Sequence, residues 1–167
     1  VESNEIDIGI VEGPVGNKNL VSKVCWDDEL VVVTPPGHPL TENPISGVDA
    51  LLEYPFISRE EGSGTRNVIV DYLQSAGCDI SDLNLTMEFG SPESIKSAVV
   101  AGLGISILSI ATLNKELELG MLSKLSLDPP LTRPFSIVYQ RQKFRLRAMD
   151  EFLEFTESHC GEKQAAK

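Results

Sequence analysis

The sequence is poor in the groups from which most catalytic and metal sites are built. Its 167 residues include two histidines, His38 between prolines in "PGHPL" and His159 near the end. Neither has a local partner at the spacing of a metal site or a catalytic triad, so His38 reads as a loop residue. The three cysteines, Cys25, Cys78 and Cys160, are odd in number, widely spaced and outside any CxxC pair. That argues against a zinc site and a disulfide framework, and for buried or inert thiols in a reducing cytoplasm. No apolar run approaches the roughly 18 residues of a bilayer span, and no charged-then-apolar leader opens the chain. Cations are scarce too: 14 Lys and Arg against 25 Asp and Glu give a formal charge of −11. Such a surface repels phosphate backbones, so direct nucleic-acid binding by this chain is not expected.

Several motifs are missing as well. A phosphate-binding P-loop needs four residues between its glycines and then Gly-Lys-Ser/Thr, and no such run exists. "GLGISI" lacks the third glycine of a dinucleotide fingerprint and runs into a strand, so Gly102 and Gly104 read as a helix C-cap and turn. "GSGTR" is not a G-x-S-x-G elbow, and Ser63 has no nearby base. The acidic runs "WDDE" and "SREE" read as solvated faces.

What is present is a soluble composition, 41% hydrophobic and 23% charged, in a pattern of alternating strands and helices. "IDIGIV" (6–11) predicts a strand leading into the turn "EGPVGN", and "ELVVVT" (29–34) a buried, β-branched strand. "PPGHPL" is irregular because proline removes a donor and fixes φ. "YPFIS" (54–58) predicts a third strand. From Thr65 the period becomes helical, with Val68, Ile69, Tyr72, Leu73 and Ala76 on one face and Gly77 as C′ residue. "LNLTMEF" alternates, placing Leu83, Leu85, Met87 and Phe89 on one face. "GSPES" opens a helix with Ser91 as N-cap and Pro92 at N1, and Ile95, Ala98 and Val99 form its stripe. Strand "ISIL" (105–108) follows. A helix over about 110–119 carries Ile110, Leu113 and Leu117, and "FSIVY" (135–139) is a late strand. A last helix over about 145–158 sets Leu146, Met149, Phe152 and Leu153 on one side, before the polar tail "GEKQAAK". The β-α-β-α-β order over 54–109 predicts a parallel sheet with helices on its faces.

"REEGSGTRN" (59–67) carries the most chemistry. In an open α/β sheet, ligands bind beyond the carboxyl ends of strands, where helices begin. The first helical turn offers N–H groups and partial positive charge to an anion. Gly62 and Gly64 let backbone approach a ligand, Ser63 and Thr65 add hydroxyls, and Arg66 adds a two-point cation. The alternative is a helix capped by Ser63 or Thr65, with Arg66 paired to Glu60 or Glu61.

Taken in order, "IDIGIVEGP", "DDELVVVTPPGHPL", "LLEYPFISREEGSGTRNVIVDYL", "GSPESIKSAVVAGLGISILS", "ELELGMLSKLSL" and "FSIVYQ…AMDEFLEF" resemble the effector-binding domain of LysR-type transcriptional regulators. The resemblance covers nearly the whole chain, and the "REEGSGTR" variant looks closest to members regulating carbon-fixation or sulfur-assimilation genes. It implies an α/β, two-lobed periplasmic-binding-protein-like (type 2) fold with mixed and parallel sheets. Lobe I would comprise 1–32 and 137–160 and lobe II 33–136, with 161–167 a disordered tail. Crossings near "LVVVT" and "FSIVY" would join the lobes, and a small metabolite would bind between them. The chain starts without Met and enters a strand almost at once, as though cut from something longer. The resemblance places opening strands and a first helix before "VESNEIDIG", so the first lobe is expected to be incomplete or domain-swapped.

By position, Ser63, Gly64, Thr65 and Arg66 would line one wall of that site and Glu12 would face them. Glu12 suits a zwitterionic effector, a carboxylate pairing with Arg66 when the site is empty, or a solvated loop residue. The resemblance further implies a cytoplasmic regulator that is not an enzyme and needs no cofactor or metal. It implies a dimer of this domain, a tetrameric parent, and DNA contact only through a helix-turn-helix absent from this chain. Two other classes share such a fold. A solute-binding protein of a transport system would carry a secretory leader. A two-lobed dehydratase of amino-acid biosynthesis would need a Thr- or Ser-based acid and would turn over a prephenate-like substrate.

Overall fold

A computed structural model describes residues 1, 5–12, 16–42, 47–141 and 147–165. In chain order its strands are β1 (Ile8–Glu12), β2 (Leu20–Thr34), β3 (Pro55–Arg59), β4 (Asn84–Phe89), β5 (Ser106–Ser109), β6 (Ser123–Leu125) and β7 (Leu131–Gln140). Its helices are α1 (Asp49–Leu52), α2 (Gly64–Ser75), α3 (Pro92–Val100), α4 (Asn114–Glu118) and α5 (Arg147–Ala165). The chain forms two compact units, 1–28 with 133–167 and 29–132. It passes from one to the other within β2 and again within β7.

The second unit explains why "LVVVT" shows no alternation. Leu30 and Val32 face a core that includes Phe56, Ile69, Tyr72, Leu73, Ile105 and Ile107. Val31 and Val33 face another, with Ile57, Ile95, Ala98, Val99, Leu108 and Leu113. A strand covered on both faces has no side left for polar residues. α2 supplies Ile69, Tyr72 and Leu73 to the first core, and α3 supplies Ile95, Ala98 and Val99 to the second, as their helical periods predict. Gly77 adopts φ 81 just beyond α2.

The expected parallel pairing is present between β3 and β4. Ile105 extends it: its N–H donates to the Pro55 carbonyl at 2.8 Å and its carbonyl accepts from Ile57 N at 2.8 Å. Gly104 makes this approach possible. At φ 157, a Cβ there would stand 2.5 Å from the Pro55 carbonyl oxygen. Beyond that bridge the chain leaves the parallel arrangement, since β5 and β6 both pair antiparallel with β2. The parallel pair β3–β4 and the antiparallel ladders of β2 are thus linked through Ile105, which bridges Phe56 just before β5 begins.

Two expectations fail in this unit. Leu83 is buried, but Leu85 and Met87 are 40% and 36% exposed. Among the described residues β4 pairs only with β3, and a register shift opposite Phe56/Ile57 breaks its alternation. The helix expected over 110–119 is a 3-10 turn, Ile110–Thr112, followed by α4. α1 and β6 escape the pattern because four and three residues are too short to show a period.

In the first unit the strand order is β1-β7-β2, and β1 pairs antiparallel with β7 from Ile8↔Tyr139 to Glu12↔Phe135. Met149 and Leu153 of α5 pack against Ile8, Val21, Cys25, Ile137 and Tyr139. β2 begins at Leu20, nine residues before the expected strand. Lys23, Asp27 and Asp28 hide that half, although Val21 and Cys25 alternate onto α5. β7 likewise extends beyond "FSIVY" on both sides. α5 runs from Arg147 through 161–165, taking in much of the stretch expected as a tail, and Leu146 lies outside the described residues. Phe152, expected on its apolar side, is 46% exposed. Part of the "EGPVGN" turn, 13–15, also lies outside the described residues.

Candidate functional site

β3 and β4 run parallel, so both end at the same edge, and each continues into a helix start. Glu60 N donates to the Phe89 carbonyl at 3.2 Å, which ties the two loops together. After β3, Ser63 N donates to the Glu60 carbonyl at 3.2 Å with Gly62 at φ 86, a turn that glycine adopts without strain. α2 then begins: Asn67 N donates to the Ser63 carbonyl at 3.0 Å. After β4, Ser91 accepts from Ser94 N at 3.2 Å and Pro92 occupies the first turn of α3.

The two helix starts differ. Ser91 caps its helix in the ordinary way, whereas Ser63, also at an N-cap, makes no side-chain cap bond. Ser63 and Thr65 are nonetheless 93% buried, each 7% exposed. Arg66 reaches back across the turn, donating from an Nη to the Arg59 carbonyl at 2.9 Å and to Glu88 of β4. Arg59 forms a two-point pair with Glu60 at 2.7 and 2.9 Å, and a longer contact to the Gly90 carbonyl at 3.5 Å. The hydrogen bond from Arg59 holds the Glu60 carboxyl below its ordinary range. Each guanidinium thus has a carboxylate partner, and both lie beside an uncapped helix start. An incoming anion would meet the positive end of α2 and could take either arginine in place of its carboxylate.

Ser63, Gly64, Thr65 and Arg66 are therefore brought together, as their spacing requires. The expected partner of Arg66, Glu60 or Glu61, is corrected: Glu60 serves Arg59, and Glu88 serves Arg66. Glu88 was legible as a member of the polar face of "LNLTMEF", and Arg59 as the cation opening the loop.

Glu12, at the end of β1, belongs to the first unit and accepts from an Nη of Arg133. Arg133 Nε donates to Asp28 at 3.0 Å, and its guanidinium lies 5.1 Å from the centre of the Phe135 ring. The pairing of Glu12 with Arg66 is not the one present. Asp28 is only 2% exposed, so "WDDE" is not wholly a solvated face. The available signal was Arg133 itself, a lone cation in an otherwise uncharged strand that needs a partner if buried.

The remaining candidates are structural. His38 starts the 3-10 turn Pro39–Thr41, accepting from Leu40 N at 3.3 Å through Nδ1, and meets Tyr54 edge-on at 4.6 Å. Burial lowers its pKa below the ordinary histidine value. Among the described residues, no group of three or more His, Cys, Asp or Glu could hold a metal ion. No helix among them is long and apolar enough to cross a membrane.

Comparison with known proteins gives a consistent pattern. A family model described as "LysR substrate binding domain" matches residues 1–161. The Escherichia coli (strain K12) uncharacterized HTH-type transcriptional regulator YeiE is 39% identical over 151 residues, 90% of this chain and 50% of that protein. A RuBisCO operon transcriptional regulator from Acidithiobacillus ferrooxidans is 38% identical over 163 residues, 95% of this chain and 52% of that protein. The chain spans about half the length of these curated relatives. Among solved structures, the Synechocystis PCC6803 CcmR regulatory domain in complex with 2-PG matches with a TM-score of 0.83 and 31% identity. That match covers 95% of this chain and 76% of the other. The cofactor-binding domain of the Cbl transcriptional regulator, at 21% identity and a TM-score of 0.79, shares the fold.

Proposed function

Because the chain belongs to the LysR substrate-binding domain family, we propose that it is the effector-sensing part of a DNA-binding transcriptional regulator. Its effector is a small anionic or zwitterionic metabolite, held at the start of α2 by Ser63, Gly64, Thr65 and Arg66. The observation that carries this site is the uncapped N-terminus of α2. Ser63 is buried at the N-cap and leaves the cap bond unmade, whereas Ser91 makes it at the neighbouring helix. An anion there would complete the helix start and take a two-point contact from Arg66. Glu12 is bonded to Arg133, so the proposed site rests on the α2 group alone.

The protein works by binding and not by catalysis. The effector shifts a population of conformers by its differential affinity for them, typically about 1–3 kcal/mol of coupling. In the longer regulator, DNA contact comes from a helix-turn-helix outside this chain, the domain pairs with a second copy, and the protein acts in the cytoplasm. The relatives named HTH-type transcriptional regulators support that reading over a transport protein or a dehydratase.

The test is a thermal-shift titration of this chain with 2-PG, sulfate, phosphate, acetylserine and phosphoenolpyruvate, alongside Thr65→Val/Arg66→Ala. A ligand at about 100 times its Kd adds roughly 2.7 kcal/mol. A wild-type shift lost in the double variant supports the site. A shift of equal size in both removes the effector from α2.

A further inference from the structure

A pocket of about 320 Å³ opens in the first unit, lined by Lys18, Asn19 and Leu20 around the start of β2 and by Gln140 and Arg141 at the end of β7. Its backbone is fixed from both sides. Asn19 N donates to Asn17 Oδ1 at 2.9 Å, and Leu20 N to the Asn17 carbonyl at 3.2 Å. Arg141 N donates to the Asn19 carbonyl at 3.0 Å, locking the two segments to each other. Four of the five described lining side chains carry N–H donors, the fifth is Leu20, and none of the five is a carboxylate. Gln140 uses one donor on the Val1 carbonyl at 3.0 Å.

Arg141 stands apart from the other described arginines. Arg59, Arg66, Arg133 and Arg147 each bond a carboxylate. Arg141 has no ion pair among the described residues, and neither does Lys18. With 25 acidic side chains against 14 basic ones, counter-ions are plentiful. Two cations beside one concave surface, with the Asn19 and Gln140 amides between them, leave a positive site that no carboxylate among the described residues neutralises.

We propose that this pocket binds a small oxyanion, the phosphate or sulfate group of a compact metabolite or the free ion itself. Lys18 and Arg141 neutralise it, and the Asn19 amide completes its hydrogen bonds. The volume lies at the small end of ligand pockets, roughly 300–1,000 Å³. A polyanion such as nucleic acid is disfavoured by the −11 charge of the chain. The pocket uses residues of the first unit only and stands independently of the site at α2.

Titration of this chain with inorganic phosphate and with glycerol phosphate, followed by amide chemical shifts in matched chloride, tests it. The Asn19, Leu20, Gln140 and Arg141 amides should shift saturably, and should still do so in Arg66→Ala. Lys18→Gln and Arg141→Gln, both at exposed positions, should each weaken binding about tenfold or more, the effect of removing one charge-assisted contact. Saturation by glycerol phosphate at lower concentration identifies an ester, and by phosphate the free ion. The proposal is overturned if these amides do not respond, or if Arg141→Gln binds either probe as tightly as wild type.

Discussion

Asp28 and Arg133 stand 105 residues apart in sequence, yet Arg133 Nε donates to Asp28 Oδ2 at 3.0 Å with side chains 3% and 7% exposed. They are also the residues at which β2 and β7 each reach the edge of the first unit. A desolvated pair of this kind is weak evidence of net stability, but breaking it leaves a charge stranded.

Arg133→Ala is therefore expected to lower unfolding free energy by about 3–5 kcal/mol. Asp28→Val/Arg133→Met, which removes both charges at nearly the same total volume, should cost less than either single change, because half-exposed Glu12 returns to water. Urea denaturation of the three variants measures this, and a double variant worse than both singles would refute the account.

The two serine N-caps make a contrast that separates ligand binding from folding. Ser91→Ala should cost about 1 kcal/mol, because a cap bond to Ser94 N is lost. Ser63→Ala loses no cap bond and should stay within about 0.5 kcal/mol of wild type. It should nonetheless reduce the effector-induced thermal shift, which Ser91→Ala leaves in place. Equal stability losses in the two variants would show that Ser63 caps α2 after all.

Lys96 predicts how stability depends on pH. It lies on α3, 7% exposed, and bonds Glu93 at 2.8 Å, Glu116 at 3.0 Å and the Thr112 carbonyl at 3.0 Å. Burial lowers its pKa, but hydrogen bonds to the two carboxylates outweigh that and hold it above the ordinary lysine value. The hydrogen bond from Lys96 in turn holds Glu116 below the ordinary 4.5. The Glu116 contribution is thus complete above pH 4.5 and disappears as pH falls through the depressed folded value. The Lys96 contribution is complete below pH 10.5 and disappears as pH rises through its elevated folded value. Glu116→Gln should flatten the acid limb of a plot of urea midpoint against pH. An acid limb as steep as that of wild type would place the titrating groups elsewhere.

The local pattern foretold more of the second unit than of the first. Ile95, Ala98 and Val99, or Ile69, Tyr72 and Leu73, repeat at the spacing of a helix and are buried as that spacing demands. The same logic failed at Leu85 and Met87. They alternate in the sequence, but a register shift interrupts that alternation in β4, whose strand partner among the described residues is β3 alone. It failed again in β2, where Lys23, Asp27 and Asp28 made half a strand look like a loop.

The sequence by itself determined where a helix starts behind a glycine-rich turn, which residues share its first turn, and the net charge of −11. Those features are local: they depend on φ preferences, on neighbours three or four residues away and on a sum of charges. Only the tertiary structure decided the partners, Glu88 for Arg66, Asp28 and Glu12 for Arg133, and, among the described residues, no carboxylate for Arg141. Pairing of charges depends on which strands lie side by side, β4 beside β3 for Glu88 and β7 between β1 and β2 for Arg133, and such adjacency does not follow from the spacing of any residue along the chain.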